Sequence, residues 1–117
     1  MVNNSAAQLD RVFGALSDAT RRAIMERLAL GEVTVSELAV PFSTSLPAIS
    51  KHLRVLEGAG LIARRTSGRQ RFCRLTPSAL DSAAEWIDYY RRFWNTRLDA
   101  LDAVLKADAA EEGKDKP

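Results

Sequence analysis

A mainly α-helical chain with one two-stranded hairpin is what this sequence predicts, and three observations carry that prediction. Apolar residues recur at helical spacing in several separate segments. Two strand-like runs, Leu61 to Arg65 and Arg69 to Leu75, flank the turn residues Thr66-Ser67-Gly68. From Thr76-Pro77 onward a near-heptad seam passes through Leu80, Ala84, Ile87, Trp94, Leu98, Leu101 and Leu105, interrupted at Arg91.

Taken in order, residues 6–16 form a first helix with Leu9, Val12, Phe13 and Leu16 on its inner face. Ser17-Asp18 offers an N-cap for a second helix from Arg21 to Leu30, which Gly31 stops. Val33-Thr34-Val35 is β-branched and short, a small edge strand. Ser36 caps a brief helix through Glu37, Leu38 and Ala39, and Pro41 limits its run. Phe42-Ser43-Thr44-Ser45 is turn material. Pro47 suits the first turn of the next helix, where its missing N–H costs nothing. Over residues 46–58, Ile49, Leu53 and Leu56 share one face, with Leu46 and His52 on its shoulders. Pro47, Ser50, Lys51, Arg54 and Gly58 fall on the other. Residues 1–106 read as one domain, and 107–117, charged and free of aromatics, as a disordered tail.

The totals exclude several classes. The chain has 117 residues, 46% of them hydrophobic and 27% charged, so it is a globular domain rather than a disordered chain. No run of about 18 apolar residues spans a membrane, and the first residues carry no secretory pattern, so the expected location is the cytoplasm. Cys73 is the sole cysteine and forms no internal disulfide. Neither a Ser-His-Asp arrangement in a motif context, a phosphate-binding glycine loop nor a metal dyad is present, so no catalysis is expected.

Charge is unevenly placed. Between residues 45 and 75 lie Lys51, Arg54, Arg64, Arg65, Arg69, Arg71 and Arg74 against Glu57 alone, in a chain whose net charge is only +2. A basic middle between acidic ends points to one surface facing a polyanion. A helix with a bare polar face, followed at once by an arginine-rich hairpin, suits a major groove and its flanking phosphates. The order of elements fits a helix-turn-helix with a hairpin wing, its first and last helices left to form a dimer.

Four segments resemble the ArsR/SmtB family of bacterial winged helix-turn-helix repressors. Ala15-Leu16-Ser17-Asp18-Ala19-Thr20-Arg21-Arg22 is similar to the family's opening motif, and Thr34-Val35-Ser36-Glu37-Leu38-Ala39 to its first helix-turn-helix element. Leu46 to Leu56 resembles its recognition helix, and Gly60-Leu61-Ile62 with the arginine-rich strands and Gly68 its wing. The likeness runs from about Phe13 to Leu105. It implies a homodimer whose recognition helices enter successive major grooves of double-stranded DNA, repressing by covering a promoter until an inducer releases it. The family's metal sensors carry Cys-x-Cys where this chain has Ala39-Val40-Pro41-Phe42, or His-containing pairs on the last helix, where this chain has no His. One His and one Cys cannot supply four soft ligands, so no metal or other cofactor is expected. Trp86 to Trp94 is similar to the subgroup without such ligands.

The candidate DNA-binding residues are Ser43, Thr44, Ser45, Pro47, Ser50, Lys51, Arg54, Arg64, Arg69 and Arg71. Ser50, Lys51 and Arg54 face the groove, and the three hydroxyls hold a phosphate at the helix start, with at least one acting as a cap. Strand alternation forbids Arg64, Arg65, Arg69 and Arg71 from facing DNA equally, so one or two pair with acids. Phe72 is expected in the core, His52 at the border of the buried face, and Cys73 part-buried, with a thiol switch as its alternative role. Leu9, Phe13, Ile87, Tyr90, Trp94, Leu98 and Leu101 are assigned to the dimer interface. The cluster Trp86, Tyr90, Phe93 and Trp94 is read as dimer core or, alternatively, as the lining of a pocket for a small-molecule effector. The competing function is a protein-interaction module using the same basic surface and aromatic helix.

Overall fold

The computed structural model describes residues 2–114, with side chains described for 6–112. Five helices and three strands follow in the order α1 (Val2–Leu16), α2 (Ala19–Leu28), β1 (Val33–Thr34), α3 (Val35–Ala39), α4 (Leu46–Gly58), β2 (Ile62–Ser67), β3 (Gln70–Leu75) and α5 (Ser78–Lys114). The chain forms two compact units, one up to Ala83 and one from Ala84 onward.

The α1–α2 corner shows why its sequence reads as it does. Asp18 caps α2 by accepting a hydrogen bond from the Arg21 amide at 3.0 Å. The Arg21 guanidinium turns back to the last carbonyls of α1, donating to Ala15 at 2.7 Å and Gly14 at 3.2 Å. Arg22 donates to the Leu16 carbonyl at 2.7 Å. The carbonyls that a helix C-terminus leaves unpaired are thus satisfied by cations from the next helix. Arg21 also meets Nδ1 of His52 on α4 at 3.3 Å, which fastens this corner to the next helix but one.

Thr34, not Ser36, caps α3: its hydroxyl accepts from the Glu37 amide at 3.1 Å. The earlier start takes Val35 out of the strand, leaving β1 two residues long. Ser45 caps α4 through the Ala48 amide at 3.3 Å. The α4 helix ends before Gly60, whose φ of +76° a side chain would resist. Its buried stripe is the expected one: Ile49, Leu53 and Leu56 are fully buried.

The wing gains a third strand. The sheet order is β1-β3-β2, all antiparallel, with Val33 opposite Cys73 and Thr34 opposite Phe72. The short β1 covers the free edge of β3, which two strands would leave bare. Ser67 opposite Gln70 closes a two-residue turn, Gly68-Arg69, with Gly68 at φ +62°. Glycine at the first central position is the type II′ pattern, which matches strand twist. The turn is therefore tighter than Thr66-Ser67-Gly68 implied, and Arg69 stands at its tip.

One core joins these pieces: Val12 and Ala15 from α1, Ile24 and Leu28 from α2, Leu38, the α4 stripe, Leu61, Ile62, Cys73, and Ala79 and Ala83 from α5. Cys73, rather than Phe72, is the β3 side chain inside. Phe72 is half-buried, and its ring lies under the Arg65 guanidinium at 4.3 Å. Alternation puts neighbouring strand residues on opposite faces, and the smaller one faces the packed helices.

The segment expected as a tail from residue 107 continues α5 as far as Lys114, and 115–117 lie outside the described residues. Its alanine, glutamate and lysine content, which cannot build a core, is also composition of high helix propensity. Among the described residues no helix is long and apolar enough to cross a membrane.

Candidate nucleic-acid interface

The outward side of α4 is open, and two of its polar residues, Ser50 and Arg54, belong to different hollows. Lys51 and Arg54 are exposed and Ser50 is half-buried. Ser50 and Leu46 form one wall of a cleft of about 300 Å³, whose other walls are Thr34, Val35 and Ser36 at the start of α3 and Arg69, Gln70 and Arg71 of the wing. The α4 helix and the hairpin thus border a concave, cationic space. Arg54 lies on the other side, in a groove shared with α1. Pro47, Ser43 and Thr44 are exposed at the start of α4. Ser45 is the cap: its hydroxyl oxygen accepts from the Ala48 amide, which leaves its O–H free to donate.

Strand register sorts the arginines. Arg64 shares a face with Cys73 and donates to Glu57 on α4 at 2.9 Å. Arg65 faces the other way and forms a bidentate pair with Glu32, at 2.7 and 3.0 Å. Both carboxylates are held below the usual carboxylate range, chiefly by these hydrogen bonds, and both guanidiniums are raised by them. Arg64 therefore departs from its assignment as a DNA contact: its charge is matched within the chain. Lys51, Arg54, Arg69 and Arg71 make no ion pair or side-chain hydrogen bond among the described residues. Arg71 faces the same way as Arg64 and lines both the α4 cleft and a second hollow with Arg64, Arg65 and Thr66.

Thr34, Val35, Ser36, Leu46 and Gln70 line the cleft but were absent from the sequence-based set. Leu46 was legible as a shoulder residue. The others depend on β1 pairing with β3 across nearly forty residues, for which local pattern gives no signal.

Cys73 is fully buried, and desolvation pushes its thiol up despite the attraction of Arg64. A raised thiol shielded from solvent is a poor nucleophile, so the structure speaks against the thiol-switch reading. Among the described residues no three His, Cys, Asp or Glu side chains are grouped to hold a metal ion.

Of the residues assigned to the dimer interface, Leu9 and Phe13 are half-buried against their own core. Ile87, Tyr90, Trp94, Leu98 and Leu101 are all exposed on α5. The α5 aromatics stack along their own helix, with Trp86 and Tyr90 centroids 4.5 Å apart and Phe93 and Trp94 6.4 Å apart. Arg91 meets Asp88 on the same helix at 3.6 Å, and Arg97 lies over Phe93.

Comparison with known proteins fits this geometry. A helix-turn-helix domain family matches residues 16–65. The chain is 45% identical to the HTH-type transcriptional regulator Rv2034 of Mycobacterium tuberculosis, covering 85% of this chain and 90% of that one. It is 34% identical to the transcriptional repressor SdpR of Bacillus subtilis, covering 68% and 88%. Among solved structures, the ArsR family transcriptional regulator RHA00566 superposes with a TM-score of 0.74 at 39% identity, covering 77% and 93%. A homodimeric winged helix-turn-helix DNA-binding domain from Mycobacterium bovis, a possible ArsR-family regulator, superposes at 0.60 with 27% identity, covering 75% and 83%. These relatives favour a DNA-binding regulator over a protein-interaction module. A capped helix-turn-helix, a three-stranded wing with free arginines and relatives that share most of their length place the chain in the ArsR/SmtB family of winged helix-turn-helix, DNA-binding transcriptional regulators.

Proposed function

We propose that the protein is a cytoplasmic homodimeric repressor of a pseudo-palindromic operator. Ser50, Lys51 and Arg54 read base edges in the major groove. Arg69 and Arg71, with the start of α4 at Ser43, Thr44 and Pro47, hold the phosphate backbone. One observation carries this reading: Arg64 and Arg65 are neutralised by Glu57 and Glu32, while Lys51 and Arg54 on the outward side of α4 and Arg69 and Arg71 on the wing make no ion pair among the described residues. Unpaired exposed cations are what a duplex backbone attracts. The homodimeric M. bovis relative and the exposed α5 stripe support pairing of two copies. Twofold symmetry then spaces the half-sites by about 10 base pairs or a multiple.

Salt titration of operator binding tests the phosphate contacts. With about 6–10 phosphates neutralised per dimer, log K falls against log salt with a slope near −5 to −9. A slope shallower than about −2 contradicts the assignment. Arg54→Ala is expected to weaken operator binding by about 1–3 kcal/mol with little effect on random DNA, whereas Arg69→Ala weakens both alike. The reverse pattern exchanges their roles.

A further inference from the structure

We propose that His52 and Glu57 are positioning residues for operator reading: their hydrogen bonds to Arg21 and Arg64 set the rotation of α4 about its own axis and so aim Ser50, Lys51 and Arg54. The inference rests on the reading of those three as base contacts. Two side-chain hydrogen bonds tie α4 to other elements. The Arg21 guanidinium of α2 donates to His52 Nδ1 at 3.3 Å, and Arg64 of β2 donates to Glu57 Oε1 at 2.9 Å. Arg21 is itself anchored, donating to the Ala15 and Gly14 carbonyls at the end of α1. Arg64 stands opposite Cys73 in the sheet. The two bonds therefore tie α4 to different parts of the first unit, one to the α1–α2 corner and the other to the wing.

Helical geometry puts these bonds where they control rotation. At about 100° per residue, Ile49, Leu53 and Leu56 mark the centre of the buried stripe. His52 lies about 70° to one side of that centre and Glu57 about 70° to the other, with Lys51 and Arg54 across the axis. Apolar burial is non-directional, so the stripe selects a face and leaves its fine angle to directional bonds. A hydrogen bond weakens steeply away from its line, and one on each flank resists rotation both ways. Base reading needs that accuracy, because binding groups work within about 0.5 Å and 10–20° of their productive geometry. The tautomer of His52 follows from its partner. A guanidinium only donates, so Nδ1 accepts and the ring proton sits on Nε2. The pairing also gives a role to Arg64, the wing arginine that faces inward rather than to phosphate.

The test compares pairs of substitutions alike in charge and shape, made in the full-length protein. His52→Asn keeps an acceptor at the Nδ1 position and His52→Leu removes it. Glu57→Gln keeps the Oε1 acceptor and Glu57→Leu removes it. The probe is an operator duplex selected from a random-sequence library, and the readout is the ratio of its affinity to that of random DNA. Measured below each melting temperature, that ratio cancels changes in net charge and in the folded fraction, so a merely structural role leaves it unmoved. The expected result is a ratio about tenfold lower in each Leu variant and within about threefold of the unsubstituted chain in His52→Asn and Glu57→Gln. Arg21→Ala combined with His52→Leu lowers it no further than either change alone. Nitrogen NMR shifts of the imidazole show Nε2 protonated and Nδ1 bare. The inference is overturned if the Leu variants discriminate as the unsubstituted chain does, if the amide variants fare no better than Leu, if the Arg21 and His52 effects add, or if the proton lies on Nδ1. An unchanged ratio in Arg54→Ala, or a selection that returns no preferred duplex, overturns the base-reading assignment and this inference together. An effective Arg54→Ala beside silent Leu variants overturns the positioning role alone.

Discussion

Up to Ala83 the chain buries most of its large apolar side chains, Leu30, Val40, Leu46 and Val55 excepted, and beyond it the described ones are exposed. Ile24, Leu38, Ile49, Leu53, Leu56 and Leu61 are fully enclosed, whereas Trp94, Leu98 and Leu101 are each more than half exposed. The same helical periodicity produced both outcomes. Periodicity marks which side of a helix is apolar, but it does not say whether the covering surface belongs to the same chain. A contiguous apolar stripe on a soluble-type helix is an interaction surface. The first unit covers its own core, and the exposed stripe of α5 is the surface that the proposed dimer assigns to a second copy.

Breaking the stripe has the largest expected effect. Leu98→Glu converts dimer to monomer in sedimentation equilibrium, and operator affinity drops about 10²- to 10⁴-fold as two linked half-site contacts become one. A variant that remains dimeric would place the interface elsewhere. Leu53→Ala probes the other region: a fully buried leucine lost from the α4 core costs about 2–5 kcal/mol in denaturant unfolding. Leu98→Ala, measured on dilute monomer, changes stability by less than about 0.5 kcal/mol. Equal costs at the two positions would erase the distinction between the units.

A smaller effect is expected at the α1–α2 corner. Arg21→Ala removes donors from the Ala15 and Gly14 carbonyls and from His52, a loss of about 1–3 kcal/mol. Arg21→Lys restores only part of it, because one ammonium cannot span three acceptors. The smallest effect is acid sensitivity. Asp18, Glu32 and Glu57 all have depressed native pKa values, from the Arg21 amide, Arg65 and Arg64 respectively. Stability from such groups is fully present above their unfolded values, near pH 4, and is lost as pH falls through the native ones. These carboxylates are exposed, so screening keeps the slope shallow. Glu32→Gln combined with Glu57→Gln should flatten the acid limb of a pH–melting curve.

Much of the fold was legible because its signals are local. Asp18 lies beside the helix it caps, Pro47 opens α4, and the Ile49, Leu53 and Leu56 spacing names the buried face. What escaped depends on distant partners. Val33 pairs with Cys73, and nothing in Val33-Thr34-Val35 specifies that edge. Thr34 and Ser36 are chemically similar caps, and the strand boundary decides between them. Arg64, Arg65, Arg69 and Arg71 look alike in sequence. Glu32, thirty-three residues from Arg65, and Glu57 on the neighbouring helix separate the paired from the free. Alternation does predict that the set must split, and it splits.

The burial of the lone thiol has a practical corollary. With Cys73 sealed beneath the sheet, a cysteine introduced at an exposed site on the wing tip would be the one group a maleimide dye reaches. Distances between the two tips of an assembled pair, with and without duplex, can then be measured on an otherwise native chain.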